Sequence, residues 1–290
     1  AKKIIADHAR DSYTIYLEGL IAFSTMDYGL SIERFREALK LNPDFKKALK
    51  YKNLAEEHKK MDVENFVKQS DDFVEQGNIH FRTHDYRQAI LCFSEAVKLS
   101  PKIAKYYTSR CCCYMAMFSY DLAAQDATKA LDIDDSFSKG YFYAINSFIN
   151  LGNIEQAQVY ITKMKKNIDE REYESFDGIF KFKKLVSLHR QIEELMNQEK
   201  FAECLKYIEE AFEIAASSRQ YLFWQAECLI KTNRHDRAKL LIEKQPRQPY
   251  KVFLEGLIAF ELEEYEKSIE SFCETLKFDP EFEKAIKFKA

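Results

Sequence analysis

A stretch near the N-terminus returns almost intact near the C-terminus, and this limits the fold more than any other feature. Residues 14–53 (TIYLEGLIAF…LNPDFKKALKYKN) align without a gap to residues 251–290 (KVFLEGLIAF…FDPEFEKAIKFKA), with 21 of 40 positions identical. The offset of 237 residues is one short of seven times 34. A chain that repeats at such a period stacks one small supersecondary unit, because no single unit can bury its apolar face alone. Composition decides which unit. Only 7 Gly and 5 Pro occur in 290 residues, too few breakers for the turns of a sandwich, a barrel or a doubly wound sheet. Apolar residues make up 46% and charged residues 31%, which is enough to form a core and argues against disorder. The expected fold is all-α, built of helix–turn–helix pairs with helices of about 12 to 15 residues.

The columns of the repeat support this. Units start near Ser12, Ser70, Ala104, Ser138, Leu185, Arg219 and Pro249 when the small residue of the first helix (helix A) is placed at position 8. Position 8 then holds Gly19, Gly77, Cys111, Ala226 and Gly256, with Ile145 and Ile192 departing. Position 20, on the second helix (helix B), is small throughout: Ser31, Ala89, Ala123, Ala157, Cys204, Ala238 and Ser268. Position 17 is aromatic at Tyr28, Tyr86, Tyr120, Phe201 and Tyr265, and departs at Ile154 and His235. Small residues at 8 and 20 let the two backbones approach where the helices cross. Large residues at position 24 (Phe35, Phe93, Ile161, Ile208, Ile242, Phe272) fill the space beside the crossing. Proline at position 32 (Pro43, Pro101, Pro280) ends helix B, because it has no N–H to donate.

These columns resemble those of the tetratricopeptide-repeat (TPR) family, over residues 12–290 apart from two inserts. The resemblance implies an all-α TPR solenoid of about seven repeats, coiled as a right-handed superhelix. The expected organisation is a lead unit (1–45), a linker helix (46–69), a three-unit block (70–165), a linker (166–184) and a second three-unit block with the start of a following helix (185–290). The first insert reads as a solvated charged helix, the second as a loop running into a long helix. Within the family, the run Leu131-Asp132-Ile133-Asp134-Asp135-Ser136-Phe137-Ser138-Lys139-Gly140 followed by Leu151-Gly152-Asn153 is similar to the middle block of J-domain co-chaperones with long TPR arrays. His-Pro-Asp, the mark of a J domain, occurs nowhere in these residues. The chain starts without Met and its last residues fall mid-pattern, so a longer parent chain is expected.

What the resemblance implies for function is non-catalytic binding of protein partners, Hsp70 or Hsp90 and unfolded client polypeptide among them. Co-chaperones of this kind grip the Glu-Glu-Val-Asp tail of those chaperones with a carboxylate clamp of cationic and amide side chains. Mapped onto 70–165, the five clamp places hold Val74, Asn78, Ser109, Lys139 and Tyr143. The candidate tail-binding residues are therefore Asn78, Ser109 and Lys139, and the clamp is degenerate. In the second block, His189 and Glu193 stand at the first Lys and Asn places, and Glu would repel an acidic tail.

Helix-A positions 5, 9 and 12 face the concave groove in TPR stacks, and here they are largely apolar. The candidate groove residues are Tyr16, Leu20, Phe23, Phe81, Met115, Phe142, Ile149, Phe253, Leu257 and Phe260. One reading is packing against the neighbouring turn; the other is a groove for an apolar segment of a partner.

Other chemistry is thinly represented. His80 and His84 have zinc-ligand spacing beside Asp85, but no third ligand is evident, so no metal and no cofactor are expected. No Gly-rich phosphate loop or G-x-S-x-G elbow occurs, and no enzyme activity is expected. A net charge of −3 gives no footprint for nucleic acid. No apolar run is long enough for a membrane span. Ala1-Lys2-Lys3-Ile4-Ile5-Ala6-Asp7 turns charged too soon for a signal peptide. Seven cysteines, with Cys111, Cys112 and Cys113 consecutive and so about 100° apart on a helix, fit a reducing cytoplasmic or nuclear compartment. Self-association is allowed. The expected function is a co-chaperone-type scaffold; the alternative is a structural assembly scaffold, ciliary, mitotic or RNA-processing, that holds one fixed partner helix.

Overall fold

The computed structural model describes residues 11–289, and the N-terminal stretch read above for a signal peptide lies outside them. Sixteen helices and no strand occur among the described residues. The first pairs are α1 (Ser12–Ser24) with α2 (Tyr28–Leu41), the last part of α3 (Lys46–Arg82) with α4 (Tyr86–Leu99), α5 (Ala104–Ala116) with α6 (Tyr120–Ile133), and α7 (Ser138–Asn150) with α8 (Ile154–Asn167). After the short α9 (Glu170–Ser175) come α10 (Gly178–Asn197) with α11 (Phe201–Ile214), α12 (Arg219–Lys231) with α13 (His235–Glu243), and α14 (Pro249–Glu261) with α15 (Tyr265–Phe278). The last helix is α16 (Glu283–Lys289).

All seven A–B turns close in the same way. Position 15 is left-handed each time: Met26, His84, Phe118, Gly152, Glu199, Asn233 and Glu263, with φ between 56° and 70°. The N–H of position 16 donates to the carbonyl of position 11 at 2.8–3.0 Å, and that of position 15 to position 12 at 2.9–3.1 Å. This is the Schellman cap, which satisfies the last carbonyls of helix A and reverses the chain. Gly152 has the residue type such a φ favours most, and Asn233 the next best. Helix B then starts from short polar caps where the sequence supplies them: Asp27 accepts from Leu30 N at 3.0 Å, and Asn153 from Gln156 N at 3.1 Å.

At the A–B crossing, positions 8 and 24 are matched in volume. A Cβ on Gly19, Gly77 or Gly256 would come within 2.6–2.8 Å of the ring of Phe35, Phe93 or Phe272. Where position 24 shrinks to Ala127, position 8 grows to Cys111; where position 24 is Ile161 or Ile208, position 8 is Ile145 or Ile192. All these residues are buried, and close packing explains the pairing. Position 20 adds a polar tie to the crossing: Ser31 Oγ donates to the Gly19 carbonyl at 3.0 Å and Cys204 Sγ to that of Ile192 at 3.8 Å.

The described residues form two compact units, 11–79 with 91–101, and 80–90 with 102–289. The first has a core of Ile15, Tyr16, Phe35, Ala38 and Ala48. Here the expected solvated linker helix needs correction. α3 does not stop at residue 69 but runs 37 residues to Arg82. Its first three turns are covered, with Ala48 and Ala55 fully buried. They repeat the geometry of α16: Phe45 lies 4.8 Å from Tyr16 as Phe282 lies 5.3 Å from Phe253, and Tyr51 and Phe288 close on Phe35 and Phe272. Residues 46–58 thus behave as a further helix A that never makes its turn. Only about 59–69 is solvated, where every residue but the half-buried Val67 is exposed.

The second unit is filled by one continuous cluster from Cys111 to Ala285. The insert at 166–184 contains the short α9 and then Phe176, which is buried and stacks on Phe142 with ring centroids 4.8 Å apart. Among the paired helices, lengths depart from the expected 12 to 15 residues at α3, α10 (20 residues) and α13 (9 residues). α13 ends three residues before Pro246, which cannot continue a helix. No described helix is long and apolar enough to cross a membrane.

Candidate peptide-binding groove

Helix-A side chains at positions 5, 9 and 12 were the candidates, and burial separates them. Tyr16 (5% exposed), Ile149, Phe253 and Leu257 (each 1%) belong to the cores, so they cannot line an open groove. The neighbouring helix A covers them: Tyr16 meets Phe45 and Tyr51, and Phe253 meets Phe282 and Phe288. Leu20, Phe23, Phe81, Met115 and Phe142 are half-buried, and Phe260 is 40% exposed. Several of these already have partners. Phe23 is edge-on to Tyr28, Tyr51 and His58, Phe81 to Tyr86, and Phe260 to Tyr265 and Phe288. Ser147 Oγ donates to Met115 Sδ at 3.2 Å. Phe142 lies under Phe176, a contact between distant parts of the sequence that no local pattern announces.

The clamp places fall in both compact units. In the first, Val74 is half-buried and Asn78 exposed. In the second, Ser109 spends its hydroxyl on the Lys105 carbonyl at 3.0 Å, and Lys139 is exposed. Tyr143, in place of a cation, accepts from Cys112 Sγ at 3.0 Å. Burial pushes both the Tyr143 phenol and the Cys112 thiol up, so both are protonated near neutrality. The surface formed by Cys112, Tyr143 and Lys139 therefore carries one cation, and a dicarboxylate needs more than one. The seven cysteines are free thiols, and burial pushes Cys113 up to about 12, which makes it a poor nucleophile.

Two ionic sites escaped the column reading because each needs residues from different repeats or helices. Arg110 meets Asp126 in a two-pronged pair, Nε to Oδ2 at 2.8 Å and Nη2 to Oδ1 at 2.7 Å, tying α5 to α6. Glu227, at groove position 9 of α12, is 8% exposed and is held by Tyr250 and Lys284. The signal was present in part: Glu227 and Glu193 are the two acids of that column, the other places being Leu, Asn or Cys. In the second block, His189 and Glu193 pair with each other, Nε2 to Oε1 at 3.4 Å. Of the two histidines with metal-like spacing, His84 bonds the Tyr86 hydroxyl at 2.8 Å. No group of three potential metal ligands gathers among the described residues.

Seven helix pairs, each closed by a Schellman cap and crossed through a small-residue contact, define the tetratricopeptide-repeat fold. The crystal structure of the P58(IPK) TPR domain agrees in fold, with a TM-score of 0.59 over 96% of this chain and 77% of that one at 15% identity. A comparison with protein-family models finds no match. Among curated proteins, the human (Homo sapiens) DnaJ homolog subfamily C member 7 is 24% identical over 240 residues, 80% of this chain and 47% of that protein. The Hsp70-Hsp90 organizing protein of wheat (Triticum aestivum) is 35% identical over 126 residues, 42% of this chain and 21% of that one. The chain spans about half the length, or less, of the curated relatives it matches.

Proposed function

We propose that this chain is a non-catalytic scaffold of the co-chaperone type, which holds client polypeptide and takes the acidic chaperone tail only weakly. The observation that carries the reading is the half-exposed lining that remains once core residues are removed: Met115, Cys112 and Phe260 are apolar and adaptable, and Tyr143 stands where a clamp would place a cation. Similarity to a DnaJ homolog and to an Hsp70-Hsp90 organizing protein supports the chaperone context. Seven free thiols suit a reducing compartment, which in this role is the cytosol.

The test is titration of the intact chain with a reduced, carboxymethylated client and with a peptide ending in Glu-Glu-Val-Asp. The client should bind and lose affinity when Phe260→Asp is introduced, with the helical signal retained. The tail peptide should bind weakly. Tight tail binding lost in Lys139→Ala would show a working clamp and overturn the weak-tail part. Failure to bind any unfolded client would end the co-chaperone reading and favour a scaffold with one fixed partner.

A further inference from the structure

Column 9 of the A helices reads Leu20, Asn78, Cys112, Asn146, Glu193, Glu227 and Leu257, so acids stand in it at two consecutive repeats only. The second shows what such an acid does in this fold. Lys284 Nζ, from α16, reaches both carboxylate oxygens of Glu227 at 2.7 Å. Tyr250 OH donates to Glu227 Oε2 at 2.7 Å and lies 3.1 Å from the same ammonium, which also sits 5.5 Å from the Tyr250 ring centroid. A groove carboxylate and an aromatic from the next helix A thus recognise a lysine.

The first acid, Glu193, differs: it is linked to the aromatics of the next helix A through His189 and not directly. Lys284 is 57 residues beyond Glu227, at position 2 two repeats on. The corresponding residue for Glu193 is Tyr250, which has no charge to offer. His189 Nε2 lies 3.4 Å from Glu193 Oε1, and the Glu193 side chain stays 54% exposed. The half-buried Trp224 on the next helix A brings its ring centroid to 5.0 Å from the His189 imidazole, and Tyr221 OH fixes that imidazole through Nδ1 at 3.1 Å. Burial holds His189 below its ordinary pKa even beside Glu193, so near pH 7 it adds no repelling charge. An exposed carboxylate beside a neutral imidazole that itself packs on an indole suits an ammonium or guanidinium.

We propose that Glu193, His189 and Trp224 form a docking site for a lysine or arginine side chain of a partner polypeptide, opposite in charge preference to a carboxylate clamp. The partner's cation takes, at Glu193, the role that Lys284 plays at Glu227. The proposal goes beyond the function above, which requires only that polypeptide be held.

Trp224 is the single tryptophan of the chain, so its emission reports this site directly. The probes are a short leucine–glutamine peptide carrying two arginines and the same peptide with glutamates in their place. The arginine peptide should shift Trp224 emission saturably, and less as salt rises. The glutamate peptide should leave the emission unchanged. Glu193→Gln should weaken the arginine peptide about fivefold or more, since a charge-assisted contact is lost; Glu193→Asp should retain most of the affinity. Equal response to both peptides, no response to either, or unchanged affinity in Glu193→Gln would overturn the proposal. Client capture measured in parallel separates the two readings: a wild-type chain that binds client but ignores arginine fails here and not above.

Discussion

The left-handed residue in each A–B turn sets up a test at the smallest scale. A non-glycine side chain in that region costs roughly 1–2 kcal/mol, and six of the seven turns bear it. Phe118 is the clearest case, at φ 57° and 72% exposed, so little packing offsets the strain. Phe118→Gly should raise stability by about 0.5–1 kcal/mol after the added freedom of the unfolded chain is subtracted. Gly152→Ala should lower it, because that site combines φ 70° with a Cβ driven into Ser218. Urea unfolding midpoints of the two variants check both signs. His189 gives a second test. Its folded pKa lies below the ordinary 6.5 because burial outweighs the pull of Glu193. The fold therefore favours the neutral form: its contribution is fully present above about pH 6.5 and is lost as pH falls through the folded value. Between pH 7 and pH 5 the wild-type midpoint should fall further than that of His189→Gln. Equal falls would show that this imidazole is not the group being charged.

Among the helices, what could be read in advance was whatever depends on one repeat alone. Small residues at 8 and 20, the aromatic at 17 and proline at 32 are local requirements of a crossing or an ending, so they recur in the letters. Position 15 could not be read this way: the left-handed turn is imposed by the Schellman hydrogen bonds, and Met, His, Phe and Glu accept it without leaving a common chemical sign. The fusion at α3 was hidden for a related reason, since a missing turn leaves no breaker to notice. The groove list was partly wrong because position 5 or 9 faces open space only if the next helix A does not cover it. Phe253 and Leu257 lie under α16 and the rest of the core, whereas Phe260, one turn on, keeps 40% of its surface. Leu257→Asp should accordingly destabilise the fold by about 3 kcal/mol or more, through an unpaired buried charge as well as lost packing. Phe260→Asp should cost far less. Circular dichroism melts of the two variants would expose any failure of this division.

For the molecule as a whole, stability is spread along the chain in neighbour-to-neighbour contacts, so damage should stay local. Gly256→Leu drives a branched side chain into Phe272 and should cost about 1–3 kcal/mol. Hydrogen exchange should then quicken in α14 to α16 before α5 to α8; uniform loss of protection would contradict the idea. The matched volumes at positions 8 and 24 also govern how such an array can be rearranged by recombination. A crossover falling between the two helices of a pair could set Ile145 against a Phe35-like ring, or leave Gly19 facing an alanine, and the hybrid would be overfilled or hollow. A crossover that carries both helices together preserves the fit wherever it lands. The segment shared by residues 14–53 and 251–290 holds a whole pair, Gly19 with Phe35 and Gly256 with Phe272, together with the first turns of the helix that covers it. Such a segment is a portable cassette, and gene-level shuffling of this array should tolerate breakpoints between pairs and reject those within them.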